Sequence, residues 1–153
     1  MIAFLKPLSR GTVNINSKDP LADPLINYRT FTNPLDITLS IHGAKILRQL
    51  YNTPTARKLG PTEQSPGVSV QTDEQWETWL KRSMSPSFYH PVGTAALGPI
   101  ERGGVAGPDL RVHGVGRLRV VDASIMPLIP GTHTSSTVYA VAEKAADLIV
   151  RAG

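Results

Sequence analysis

Thirteen glycines and thirteen prolines are spread through 153 residues and leave little uninterrupted room for long regular elements. Each proline removes a backbone donor and pushes the residue before it towards extended geometry. Each glycine adds backbone freedom that a helix or strand must lose. The expected product is a chain of many turns, short strands and few long helices. The enrichment stays below the level of low-complexity segments. With 41% apolar and 18% charged residues the chain reads as folded, because disorder goes with few apolar residues and high net charge. Its length suits one ordinary domain, and no repeat or linker marks off a second.

Three stretches keep helical periodicity. Asn33 is a good N-cap, Pro34 suits the first helical position, and Asp36 places a negative charge in the first turn. Ile37, Ile41, Ala44, Leu47 and Tyr51 then share one face, and Pro54 stops the run. Thr72 and Gln75 fit a capping box ahead of Trp76, Trp79 and Leu80, with Lys81-Arg82 closing the helix. Ser135 or Ser136 can cap a last helix in which Val138, Ala142, Ala145 and Ile149 share a face. Gly153 ends the chain.

Between these lie strand and loop signals. Thr12-Val13-Asn14-Ile15-Asn16 alternates as a half-buried strand does, and Asp19-Pro20 and Asp23-Pro24 break any regular run after it. Residues 55–71 read as loop, with a short strand at Val68-Ser69-Val70. From Ser83 to Arg117 there is almost no periodicity, and an aperiodic stretch that long in a compact chain is usually either functional or the mark of an unrecognised element. Leu118-Arg119-Val120-Val121 reads as a strand and 122–134 as loop.

Several function classes are excluded. The net charge of +4 is scattered, with no dense Lys/Arg block, so it reads as a solvated surface and not a nucleic-acid footprint. No stretch approaches the roughly 20 apolar residues that cross a bilayer. The apolar start Met1-Ile2-Ala3-Phe4-Leu5 is cut by Lys6-Pro7, too short for a signal-peptide core. The absence of cysteine excludes disulfides and thiolate-bound metals, and neither loop histidine has carboxylates at ligand spacing, so no metal site is expected. Walker, Gly-x-Gly-x-x-Gly, His-Glu-x-x-His and Gly-x-Ser-x-Gly motifs are all missing.

The candidates for chemistry are histidines. His42 falls inside the first helix and reads as structural, and His113 lies in a turn. His90 and His133 each sit in a loop of small residues, Tyr89-His90-Pro91-Val92-Gly93-Thr94 and Pro130-Gly131-Thr132-His133-Thr134. Small residues let a ligand approach the backbone closely. A helix starting just after His133 brings free N–H groups and partial positive charge to the same place. Val121-Asp122-Ala123-Ser124 leaves a strand for a loop and is a second candidate segment.

His90-Pro91-Val92-Gly93-Thr94, Pro108-Asp109-Leu110-Arg111-Val112, the run Leu118 to Pro127 and the run Ala142 to Ile149 together resemble the C-terminal signature of the glucose-methanol-choline (GMC) flavin oxidoreductases. Pro7-Leu8-Ser9-Arg10-Gly11-Thr12-Val13 and Asp19-Pro20 resemble the family's entry into that region. No single motif is specific, but the ordered series is, and it covers nearly the whole chain.

The resemblance implies an α+β fold. Residues 1–117 would be the C-terminal part of a substrate-binding region. Residues 118–153 would return to the FAD domain as its last strand and helix, the N-terminal Rossmann part lying outside these residues. It implies FAD as cofactor and an alcohol as small-molecule substrate. His90 would take the proton from the alcohol, and His133 would hydrogen-bond the same hydroxyl. Asp122, Ala123, Thr134 and Ser135 would lie against FAD. Members carry His or Asn at the second position, so the His/His pair is similar to the aryl-alcohol oxidase and glucose oxidase side and not the choline side. A separate FAD-binding domain is the implied partner, and the chain alone is expected to bind FAD weakly or not at all. An inactive remnant, a split-enzyme partner and a hydroxynitrile lyase on the same scaffold are the alternatives; which alcohol is used, oxidase versus dehydrogenase chemistry, and the compartment stay open.

Overall fold

The computed structural model describes residues 3–151 and divides into two compact units. The first comprises the described residues up to Thr12 together with Leu25–Pro86; the second comprises Val13–Pro24 and the chain from Ser87 onward. No separate linker joins them, because the chain passes between the units three times. The helices are α1 (Pro34–Tyr51), α2 (Pro54–Arg57), α3 (Asp73–Ser83) and α4 (Thr134–Arg151). The strands β1 (Thr12–Asn14) and β2 (Leu25–Asn27) are three residues each. Met1 and Ile2 of the apolar start, and the terminal Gly153, lie outside the described residues. Among the described residues no helix is long and apolar enough to cross a membrane.

In the first unit the caps work as the sequence indicates. Asn33 accepts from Leu35 N–H ahead of Pro34. Thr72 and Gln75 close a reciprocal capping box, with Gln75 N–H donating to Thr72 Oγ1 at 3.3 Å and Thr72 N–H donating to Gln75 Oε1 at 3.0 Å. Ile37, Ile41 and Ala44 of α1 pack with Trp76 and Leu80 of α3, and Trp79 and Phe31 flank them. His42 points away from that core and is exposed, as is Tyr51.

Two buried polar residues share the packed face of α1. Asp36 is 1% exposed. Its carboxylate accepts from Leu8 N–H at 2.8 Å, Ser9 N–H at 2.7 Å and the Ser9 hydroxyl at 2.5 Å. Burial would push its pKa up, but those hydrogen bonds and the nearby Arg10 charge outweigh it and hold the carboxyl below the usual carboxylate range. The Ser40 hydroxyl donates to the Asp36 carbonyl.

Arg48 ties the loop after α2 to the core. Its guanidinium makes a forked pair with Glu63 at 2.9 and 2.6 Å and donates to the carbonyls of Val70 and Gly67. It also lies 4.3 Å from the Trp76 ring centre. This corrects the expected strand at Val68–Val70. The segment is a turn closed by Val70 N–H to Gly67 O, and its outer carbonyls are taken by Arg48 instead of a neighbouring strand. The expected loop from 55 also begins inside a helix. Thr53 caps and Pro54 opens α2, repeating the Asn33-Pro34 logic one turn after α1 ends. The strand read over Thr12–Asn16 is shorter than expected, and Val13 and Ile15 are exposed, so it is not half-buried.

The second unit is mostly irregular. Its core is Leu110, Ile125 and Ala145, with Leu97, Val120, Val121, Val141 and Leu148 packed around them. The aperiodic stretch is held by single bridges, Leu97 with Ala106, Ala106 with Val112, and Arg111 with Arg119. The expected strand Leu118–Val121 is therefore reduced to an extended segment with one bridge. Its partner turns sharply at Leu110, where φ is +66°, and the ladder cannot continue past that residue. A close backbone approach lies at Gly104, whose absent Cβ would fall 2.0 Å from the Gly98 carbonyl oxygen.

The expected loop over 122–134 contains a 3-10 turn at Ala123–Ile125. Thr134, not Ser135 or Ser136, is the first residue of α4. The inward face of α4 is also rotated from the expected one. Ala145 is buried and Val138 half-buried, but Ala142 and Ile149 are exposed while Val141 and Leu148 point to the core. Apolar residues line almost every side of this helix, so spacing alone leaves its phase open.

Candidate functional site

All the singled-out loop residues fall in the second unit. The segment after His90 is fixed against the 3-10 turn by three backbone hydrogen bonds. Gly93, Ala95 and Leu97 N–H groups donate to the carbonyls of Ala123, Ser124 and Ile125. Gly93 is needed at its place. Its φ is +84°, and a Cβ there would sit 3.0 Å from the Met126 carbonyl oxygen. Strain precedes the histidine as well, at Tyr89, where φ is +64°. The His90 loop is thus held by backbone contacts on its C-terminal side, at a distance set by a glycine.

Those restraints bring His90 and His133 together, although 43 residues separate them. His133 Nδ1 lies 2.7 Å from His90 Nε2. The rings meet edge to face with centres 4.8 Å apart. The other ring nitrogen of His90, Nδ1, lies 2.7 Å from the Thr134 hydroxyl. His90 is half-buried and His133 exposed. The result is a row of Thr134 Oγ1, His90 and His133, anchored on a helix start at one end and open to solvent at the other.

The remaining expected positions are distributed around this row. Thr134 is buried, and its side chain is used by His90. Ser135 is exposed in the first turn of α4. Ala123 is half-buried in the 3-10 turn. The Asp122 carboxylate is exposed and accepts from the Ser124 N–H and hydroxyl, capping that turn. His113 is engaged elsewhere, its Nε2 lying 2.9 Å from the Gly98 carbonyl oxygen.

An apolar cavity of about 230 Å³ opens in the same unit. Leu97, Ile125, Met126, Leu128, Pro130 and Val141 supply most of its wall, so the segments that carry the histidines also shape it. A larger cavity of about 370 Å³ lies in the first unit, lined by Thr30, Phe31, Lys81, Met84 and Pro86, and holds none of the candidate residues. What sequence reading missed is the use of the Thr134 side chain. Its one signal was a hydroxyl residue directly following His133.

The GMC oxidoreductase family model matches residues 7–142. The GMC oxidoreductase family protein Mala s 12 of Malassezia sympodialis is 43% identical over 148 residues, covering 97% of this chain and 24% of that protein. The structure of a fungal aryl-alcohol oxidase superposes with a TM-score of 0.85 at 52% identity, over 96% of this chain and 24% of the other. An FAD-dependent oxidoreductase from Chaetomium thermophilum gives 0.89 at 42% identity, over 96% and 25%. The chain spans about a quarter of the length of the relatives it matches. These 153 residues belong to the GMC oxidoreductase family and correspond to its C-terminal region.

Proposed function

We propose that this chain supplies the proton-accepting side of an FAD-dependent oxidation of an alcohol CH–OH group, with His90 as the base and His133 as its partner on the substrate hydroxyl. The observation that carries this reading is the contact between His90 Nε2 and His133 Nδ1. The two ring nitrogens now pair with each other; separated, they could receive one hydroxyl, one nitrogen accepting its proton and the other donating to its oxygen. In this reading an alcohol hydroxyl takes the place of the His133–His90 contact, while His90 keeps its hydrogen bond to Thr134.

The cofactor assignment is tested by the helix start. Ser135 and Ser136 are exposed in the first turn of α4, next to His133, and the first N–H groups of a helix have no intrahelical partner. Such groups favour an electron-rich or negatively charged partner. The residues fit FAD there. The first-turn backbone at Thr134 and Ser135 and the turn at Asp122 and Ala123 would hold it, the Thr134 side chain remaining on His90. When bound, FAD supplies the hydride acceptor that no side chain provides. In this assignment residues 118–153 accompany the FAD domain and residues 1–117 the substrate-binding region.

A flavin titration tests the reading. FAD is added to the 153-residue chain alone and to the chain mixed with the FAD-binding domain of a GMC relative, and flavin fluorescence is followed. Quenching in the mixture beyond that given by the relative's domain alone is the expected result. Quenching that the chain leaves unchanged in the mixture would contradict the proposal.

A further inference from the structure

We propose that Thr134 is a positioning residue that holds His90 with its proton on Nδ1, so that Nε2 is bare and ready to take a proton. The inference rests on the reading of His90 as the base. Thr134 Oγ1 lies 2.7 Å from His90 Nδ1. The threonine is 6% exposed and sits at the first residue of an 18-residue helix. Its burial and its contact with His90 hold the oxygen at the helix start.

A neutral imidazole carries one N–H and one lone pair, and the partner of one nitrogen decides the role of the other. The row can be satisfied in two ways. If the Thr134 hydroxyl donates to Nδ1, the His90 proton sits on Nε2 and points at His133. His90 then presents a donor to an incoming alcohol and has no lone pair for its proton. If Nδ1–H donates to Thr134 Oγ1, Nε2 is an acceptor and takes a hydrogen bond from His133 Nδ1–H. Only this second arrangement leaves a base facing the open end of the row.

The product of the proton transfer points the same way. When the alcohol O–H bond breaks towards His90, its proton goes to Nε2 and the ring becomes a cation with donors on both nitrogens. The Nδ1 donor then needs an acceptor, and Thr134 Oγ1 is at hydrogen-bond distance. With Thr134 accepting before and after, nothing on that side of the ring has to turn during the transfer, which is the advantage of a preorganised site.

The test reads the tautomer directly. Long-range nitrogen–proton NMR correlations are recorded on the nitrogen-labelled 153-residue chain in alkaline buffer, for wild type, Thr134→Val and Thr134→Ser. In wild type the His90 proton is expected on Nδ1. A hydroxyl can pair with either tautomer, so the preference rests on Oγ1 acting as acceptor, and that hydrogen bond is worth up to about tenfold. Thr134→Val should remove that bias and shift the proton towards Nε2, and Thr134→Ser should restore it. A wild-type His90 with its proton on Nε2, or an unchanged tautomer in Thr134→Val, would overturn the proposal. The readout needs neither flavin nor alcohol, so it separates the two ideas. The wild-type tautomer as stated, in a protein that never reduces flavin with an alcohol, leaves Thr134 as the positioning residue and removes the proposed function.

Discussion

His133 Nδ1 and His90 Nε2 are 2.7 Å apart, and the two residues reach that contact from loops 43 positions apart in the chain. His90 is fixed by the Thr134 hydroxyl and by a loop pinned to the Ala123–Ile125 turn, whereas His133 is exposed. The asymmetry supports the proposed roles. The fixed ring suits the base, and the exposed one suits a partner that moves as substrate enters.

His133→Asn is expected to be the milder change at this pair. An asparagine keeps a hydrogen-bond donor for the substrate oxygen but has no titratable ring. In the assembled flavoprotein the rate of alcohol-dependent flavin reduction should fall by less than about tenfold, the cost of losing one neutral hydrogen bond, because the donor is kept. Stopped-flow absorbance measures it, and a fall as large as that of His90→Ala would reverse the assigned roles.

Gly93→Ala should loosen the His90 loop. The residue has φ +84° and leaves 3.0 Å between a would-be Cβ and the Met126 carbonyl. The left-handed conformation alone costs an alanine about 1–2 kcal/mol. Urea unfolding should show that loss, and hydrogen exchange at Ala95 and Leu97 should quicken, because their N–H groups hold the loop to the 3-10 turn.

The Asp36 carboxylate should make stability depend on acid. Its pKa is lowered in the folded chain by hydrogen bonds from Leu8 and Ser9 and by Arg10, which together outweigh burial. A group with a depressed folded pKa contributes its full stabilisation above the unfolded value of about 4 and loses it as pH falls through the folded value. Asp36→Ala should therefore cost about 2–3 kcal/mol at pH 7, in the range of hydrogen bonds to a charged group. The gap between variant and wild type should narrow below about pH 4. Paired urea titrations at the two pH values read the difference directly.

Arg48→Ala should destabilise the first unit by about 3 kcal/mol, the scale of removing one partner from a partly buried ion pair. It leaves Glu63 and the Val70 and Gly67 carbonyls without their donor and uncovers the Trp76 ring. Thermal unfolding followed by tryptophan fluorescence reports it, since Trp76 is 2% exposed in the native unit.

Local chemistry made some elements legible from sequence. Asn33-Pro34 and Thr72-x-x-Gln75 are complete capping signals within four residues, and both helices begin where those signals stand. The turn at Val68–Val70 was not legible, because its conformation depends on Arg48, which comes from a distant helix. Nor was the phase of α4, where apolar residues on several faces fit more than one orientation and contact with Leu97 and Ile125 selects one. At the site, the two histidine loops stood out by their small neighbours. The Thr134 hydroxyl did not, because α4 starts at Thr134, at least two residues earlier than its serine caps suggest, and that start brings the side chain to His90.

The most direct measurement is anaerobic flavin bleaching by an aryl alcohol, in protein assembled from this chain and the FAD-binding domain of a relative, for wild type and His90→Ala. Wild type should bleach. His90→Ala should bind FAD equally but bleach about 100- to 10,000-fold more slowly, the usual contribution of a general base. Equal bleaching rates with FAD bound in both would contradict the assignment of His90 as the base.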